Sequence, residues 1–175
     1  MGKIKSPLPV KLIIAIFTPQ PDLFPKIERE LEKKWGKIDF KCPLFDFNYT
    51  DYYQEEMGFD LKKKFICFES LISPENLDSI KLSTNELEKK YSVADKRLVN
   101  IDPGYISNSN LVLASTKDYY HRIYLGNGIY AEVTLFFQKD SFQPLLWTYP
   151  DYKTSESIDI FNRIRGIYRK QLANL

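Results

Sequence analysis

The 175-residue chain holds one histidine, two cysteines and no surplus of either charge. Each shortage removes a class of function. With a single histidine and two separated thiols, Cys42 and Cys67, no ligand pair stands at zinc spacing, so no metal site is expected. Without a secretory context two thiols make no disulfide framework, and both are expected reduced in the core. Apolar surroundings there raise a thiol pKa, the wrong direction for a nucleophile. Lys+Arg of 25 against Asp+Glu of 23 leaves a net charge of +2, far from the basic excess of a phosphate-backbone binder. Nucleic acid is therefore not implied. The longest apolar run, Leu12 to Phe17, is far shorter than the ~20 residues of a membrane-spanning helix, and the N-terminus lacks an apolar signal core. The expectation is a soluble, cytoplasmic protein with no membrane partner. Met1, Gly2 and Ser6 match a myristoylation pattern too short to carry an argument.

What is present is apolar and aromatic content of 43% and 15%, enough for one core and a single domain over residues 1–175. Leu12 to Phe17 is β-branched-rich and uninterrupted, the pattern of a strand buried on both faces. Pro21-Asp22 opens a helix in which Leu23, Ile27, Leu31 and Trp35 recur every fourth residue until Gly36. Ile38, Phe40, Cys42 and Leu44 alternate with Asp39 and Lys41, a strand with one wet face. Phe65 to Phe68 is a second continuous apolar run. Ser73-Pro74-Glu75 starts another helix with Leu77, Ile80, Leu87 and Tyr91 along one face, and Ser83-Thr84-Asn85 is a candidate break in it. Leu98 to Ile101 gives a fourth strand, after which Asp102-Pro103-Gly104 is good turn chemistry. Leu111 to Ala114 reads as strand or helix. A last helix, capped near Thr154 or Ser155, turns Ile158, Phe161, Ile164, Tyr168 and Leu172 inward.

A hairpin follows from its own register. A three-residue loop of Gly126, Asn127 and Gly128 sets Leu125 against Ile129 and Ile123 against Ala131 on one face, with Tyr124 against Tyr130 and Arg122 against Glu132 on the other. On that register His121 points to the apolar side.

The order β-α-β-β-α-β is the ferredoxin-like one, so the expected fold is α+β with that core. Helices of such a unit cover one sheet face, yet its two expected central strands are apolar on both. Something must cover the second face. The C-terminal hairpin, the Trp147 to Tyr152 segment and the last helix are the available pieces, which makes the C-terminal third part of the same core.

Chemically able side chains concentrate between Asn100 and Phe137. His121 is a candidate acid/base with Asp118, Asp102 or Glu132 to orient it, Asp118 being the catalytic choice, while Asp102, Tyr105, Lys117 and Arg122 are candidate ligand-binding residues, the cations suiting an anionic substrate. A lone histidine beside a strand is also a common structural residue, and Glu132 is expected to pair with Arg122. Asp102, Asp118 and Glu132 could offer oxygens to a divalent ion, but nothing constrains their spacing. Two aromatic clusters, Asp51 to Glu56 and Trp147 to Tyr152, suit either stacking recognition or packing.

Asn100 to Tyr105, Ser115 to Asp118, His121 to Gly126, Gly128 to Leu135 and Trp147 to Tyr152, together with Asp51-Tyr52-Tyr53 and Thr84 to Glu88, form a set of motifs that resembles a bacterial family catalogued as domain of unknown function 4416. The resemblance runs nearly the whole length and implies a bacterial, single-domain protein with no established activity, cofactor or catalytic residue. Some relatives carry a GTP-binding label. The residues do not support it: there is no Gly-x-x-x-x-Gly-Lys-Ser/Thr string, and Thr116-Lys117-Asp118 is one residue short of the guanine-reading pattern. The expected function is a pocket for a small anionic or nucleotide-like ligand, with His121 as acid/base if it is an enzyme. The alternative is a noncatalytic interaction module or homodimer using an aromatic surface at Trp147 to Tyr152 or Tyr52-Tyr53.

Overall fold

The computed structural model describes residues 2–50, 53–94 and 96–175. Met1 of the myristoylation pattern, and Asp51 and Tyr52 of the acidic aromatic loop, lie outside them. β1 (Val10–Thr18) is buried along its whole length and occupies the middle of the sheet. It is followed by α1 (Phe24–Trp35), β2 (Ile38–Lys41), β3 (Phe45–Asp46), α2 (Gln54–Met57), β4 (Lys62–Ile72) and α3 (Leu77–Lys90). A short ribbon of β5 (Ser92–Val93) and β6 (Lys96–Arg97) leads into β7 (Asn100–Ile106), β8 (Asn110–Ser115), β9 (Ile123–Gly126), β10 (Ile129–Gln138), β11 (Ser141–Pro144) and α4 (Ser155–Leu172).

Among the described residues the main sheet has nine strands in the order β11-β10-β8-β7-β1-β4-β2, with β3 also on β4 and β9 also on β10. Every pairing is antiparallel. The fold is α+β, and its sheet is larger than the expected core. The hairpin does not lie over the sheet. β10 pairs with β8 and so lengthens the sheet in its own plane.

Strand alternation sorts the core into two layers. Leu12, Ile14 and Ile16 face α1 and α3, packing with Phe24, Ile27, Leu31, Ile80 and Leu87. Ile13 and Ala15, with Phe65 and Cys67 of β4, face α4 and meet Phe161, Ile164 and Tyr168. The second face is covered by the last helix and by Tyr152, which stacks on Phe161 at 5.3 Å between ring centres. Thr154 caps α4 by accepting a hydrogen bond from the Ser157 amide at 3.1 Å.

Three local readings are corrected and an open one is decided. α3 is unbroken at Ser83-Thr84-Asn85, because the Thr84 hydroxyl bonds back to the Lys81 carbonyl at 3.0 Å instead of competing with the helix. Leu111 to Ala114 is strand. The hairpin arms keep the Tyr124–Tyr130 and Ile123–Ala131 pairs, but Gly126 meets Ile129 across a two-residue turn of Asn127 and Gly128, both at positive φ, and a bulge absorbs Leu125. Finally, Asp102-Pro103-Gly104 is no turn. β7 runs straight through it, opposite Ala15, Ile14 and Ile13 of β1.

Candidate functional site

Proline inside β7 has a structural consequence. Pro103 carries no N–H, and the β7–β8 ladder, which pairs Gly104–Ile106 with Leu111–Leu113, stops at Gly104. Before that point β7 stays with β1 as far as Asn100–Phe17, while β8 goes on with β10 through Ala114–Ala131 and Ser115–Tyr130. The sheet therefore forks. Gly104 lets the strands meet closely at the branch point, since a Cβ there would strike the Val112 carbonyl and lie 2.7 Å from the Leu113 side chain.

A cavity of about 830 Å³ opens at the fork, within the few hundred to about 1,000 Å³ common for small-molecule sites. Phe17, Phe47, Tyr49, Tyr53, Tyr149 and Tyr152 form its aromatic wall. Ser115, Thr116 and Lys117 line the β8 side, and Asn100 and Asp102 the β7 side. Lys81, Asn85, Glu88 and Lys89 enter from α3, and Lys63 from β4 meets Asp151 from the turn before α4.

The charges are organised as pairs, of which Lys63–Asp151 is buried on both sides. Lys63 Nζ donates to Asp151 at 2.6 Å, both side chains 4% exposed, and lies 4.8 to 5.6 Å from the centres of the Phe17, Phe47, Phe65 and Tyr152 rings. Lys81 Nζ donates to Asp102 Oδ1 at 3.0 Å and to the Ile101 carbonyl at 3.2 Å. Asp102 faces the side of Ala15 and α4, so Lys81, which comes from α3, reaches it through the gap that the fork leaves. Asn100 Nδ2 donates to Asp102 Oδ2 at 2.6 Å and Asn100 Oδ1 accepts from Arg97 at 2.9 Å. Arg97 also grips Glu56 of α2 with two hydrogen bonds of 2.6 and 2.7 Å.

Burial works against ionisation of Asp102, but Lys81, Lys63 and the Asn100 amide outweigh it and hold the carboxyl below its ordinary range. Glu88 goes the other way. Burial lifts it despite Lys81, the Ile101 amide and Arg97. Burial and the nearby Glu132 carboxylate push the Tyr149 phenol up to about 12, so it stays a neutral hydroxyl at the cavity mouth.

Of the residues singled out from sequence, Asp102, Lys117 and Arg122 line this cavity and Tyr105 does not. Three residues along a strand, Tyr105 has the opposite parity to Asp102 and packs with Leu77, Val112, Ala114 and Ile129 on the α3 face. His121 and Asp118 line a smaller recess of about 460 Å³, which shares Lys117, Arg122 and Tyr149 with the cavity. His121 Nε2 lies 2.9 Å from Glu132 Oε2, which also accepts from Arg122 Nε at 3.0 Å. A carboxylate only accepts, so Nε2 carries the hydrogen. The imidazole stacks on Trp147 at 4.9 Å, and its buried Nδ1 has no partner among the described residues. Asp102, Asp118 and Glu132 do not gather: among the described residues no three His, Cys, Asp or Glu side chains could hold a metal ion.

Sequence reasoning missed Lys63, Lys81, Asn100 and Asp151. A signal existed for two of them. Lys63 shares the parity of Phe65 and Cys67, and Lys81, Thr84 and Glu88 continue the inward row begun by Leu77 at helical spacing.

A family model described as domain of unknown function (DUF4416) matches residues 8–168. No curated protein and no solved structure matches the chain.

Proposed function

The chain belongs to the DUF4416 family, and from that premise we propose that it binds a small anionic, nucleotide-like molecule in the cavity at the β7–β8 fork. One observation carries the reading: the Lys63–Asp151 and Lys81–Asp102 pairs stand at the wall of a cavity instead of in solvent. Buried ion pairs are poor stabilisers compared with apolar packing, so their place beside an open volume fits recognition better than folding. Lys63, Lys81, Lys117 and Arg122 bring cationic groups to the lining beside Asp102, Glu132 and Asp151, while Arg97 and Lys89 are engaged by Glu56 and Glu86; these cations are the groups that an anion would meet. The six aromatic rings offer faces for a planar or sugar-like moiety. An enzymatic role would run through the adjoining recess, where His121, held at Nε2 by Glu132, is the acid/base group and Asp118 lines the same recess.

We read β2, β4, β1 and β7 with α1 and α3 as a ferredoxin-like unit extended at its β7 edge, and place the protein in the cytoplasm. Both buried thiols are free, which fits a reducing compartment. No helix among the described residues is long and apolar enough to cross a membrane.

A thermal-shift screen of nucleotides, sugar phosphates and divalent ions tests the binding reading. A ligand at a hundred times its dissociation constant adds about 2.7 kcal/mol, which raises the melting temperature of a domain this size by several degrees. No response to any anionic member of the panel would end the reading.

The second reading, association through an aromatic surface, draws on β9. Among the described residues nothing pairs with its outer edge, and Tyr119, Tyr120, Ile123, Tyr124 and Leu125 are exposed along it. Sedimentation that shows a concentration-dependent dimer, alongside an unresponsive ligand panel, would favour this reading.

A further inference from the structure

Asp102 differs from the other carboxylates of the cavity in what its oxygens still have to offer. Its side chain is 31% exposed, against 7% for Glu88, 4% for Asp151 and 2% for Glu132. Oδ1 accepts from Lys81 and Oδ2 from Asn100, so the carboxylate is fixed by two donors of the cavity lining, one to each oxygen. An ionised carboxylate has about four acceptor positions. With one protein donor on each oxygen, acceptor capacity is left on a side chain that lines the cavity.

Two acceptors side by side on one carboxylate edge match two donors on neighbouring atoms. An ammonium group is the wrong partner, because the Lys81 ammonium already sits 3.0 Å from the same carboxylate. Adjacent hydroxyls are neutral and suit a carboxylate whose charge is already balanced. We propose that Asp102 accepts hydrogen bonds from a vicinal diol, so that the ligand of the fork cavity is a phosphorylated sugar, free or as part of a nucleotide. This rests on the binding reading above and narrows its ligand class.

Wild-type protein is titrated calorimetrically with inorganic pyrophosphate, ribose 5-phosphate, 2-deoxyribose 5-phosphate, AMP and 2′-deoxy-AMP. The diol-bearing member of a pair is expected to bind at least about tenfold tighter than its deoxy counterpart, since a site built around a hydroxyl rejects the analogue lacking it. Preference for AMP over ribose 5-phosphate assigns the diol to a nucleotide, and the reverse assigns it to a free sugar phosphate. Asp102→Asn, which keeps one acceptor oxygen for Lys81, is expected to bring both pairs within about threefold. If that variant does not fold, Lys81→Met with Asp102→Leu removes the charges together and is expected to level the pairs as well. Equal binding of diol and deoxy ligands by wild type, or discrimination that survives both variants, overturns the inference and leaves the cavity reading standing. Failure of all five probes, pyrophosphate included, overturns both.

Discussion

Lys63 shows how a single residue joins stability to the site. Its ammonium is surrounded by four rings and hydrogen-bonded to Asp151, so losing that partner leaves a charge in largely apolar surroundings. Lys63→Met alone is expected to cost about 3–5 kcal/mol in urea unfolding, whereas Lys63→Met with Asp151→Leu should recover most of the loss. Equal costs for single and double variants would show that the pair is solvated. pH dependence belongs to the same scale. Asp102 titrates below its unfolded value of about 3.9, so the stability it lends is complete above that pH and disappears as pH falls through the lower folded value. Glu88 has the opposite sign: its raised folded pKa means that ionising it costs stability as pH climbs from about 4.3 towards the folded value. The stability gap between wild type and Asp102→Asn should therefore narrow steadily between pH 5 and pH 2 in urea titrations. A gap independent of pH would remove Lys81 as the cause.

Elements explain why the site was only half legible in the sequence. The apolar runs of β1 and β4 and the helix signals at Pro21, Ser73 and Thr154 are written in period and caps, and the structure has elements at all of them. Asp-Pro-Gly is ambiguous, because the same residues that make a turn also make a strand that stops pairing on one side. Which occurs depends on whether β1 is present to hold β7 straight, a fact of tertiary context. The inward polar row of α3 was hidden for a similar reason: Lys81 and Glu88 look like a solvated face until the fork gives them something to reach. The fork itself is testable. Gly104→Ala forces a methyl into the Val112 carbonyl and should cost about 1–3 kcal/mol in the denaturant midpoint, with the β7–β8 amides losing hydrogen-exchange protection before those of β1. A neutral substitution would mean that the strands are not in close contact there.

The whole molecule depends on α4 lying over a sheet that is apolar on both faces. The sequence implied a cover for the second face, and it did not say which of three pieces supplies it. Phe161 has no exposed surface and touches Phe65 and Tyr152 at ring-centre distances of 4.9 and 5.3 Å. Phe161→Ala should cost about 3–5 kcal/mol and, through Tyr152 and Asp151, loosen the cavity wall as well. Such coupling would tie the cover of the second face to the fork cavity, where we propose that a ligand binds. The most direct measurement is an amide proton–nitrogen correlation spectrum of the labelled protein, recorded while pyrophosphate and then ribose 5-phosphate are added. The expected result is saturable shifts centred on Asn100–Asp102, Ser115–Lys117 and Asp151–Tyr152. Shifts confined to β9, or no shifts at millimolar ligand, would contradict it.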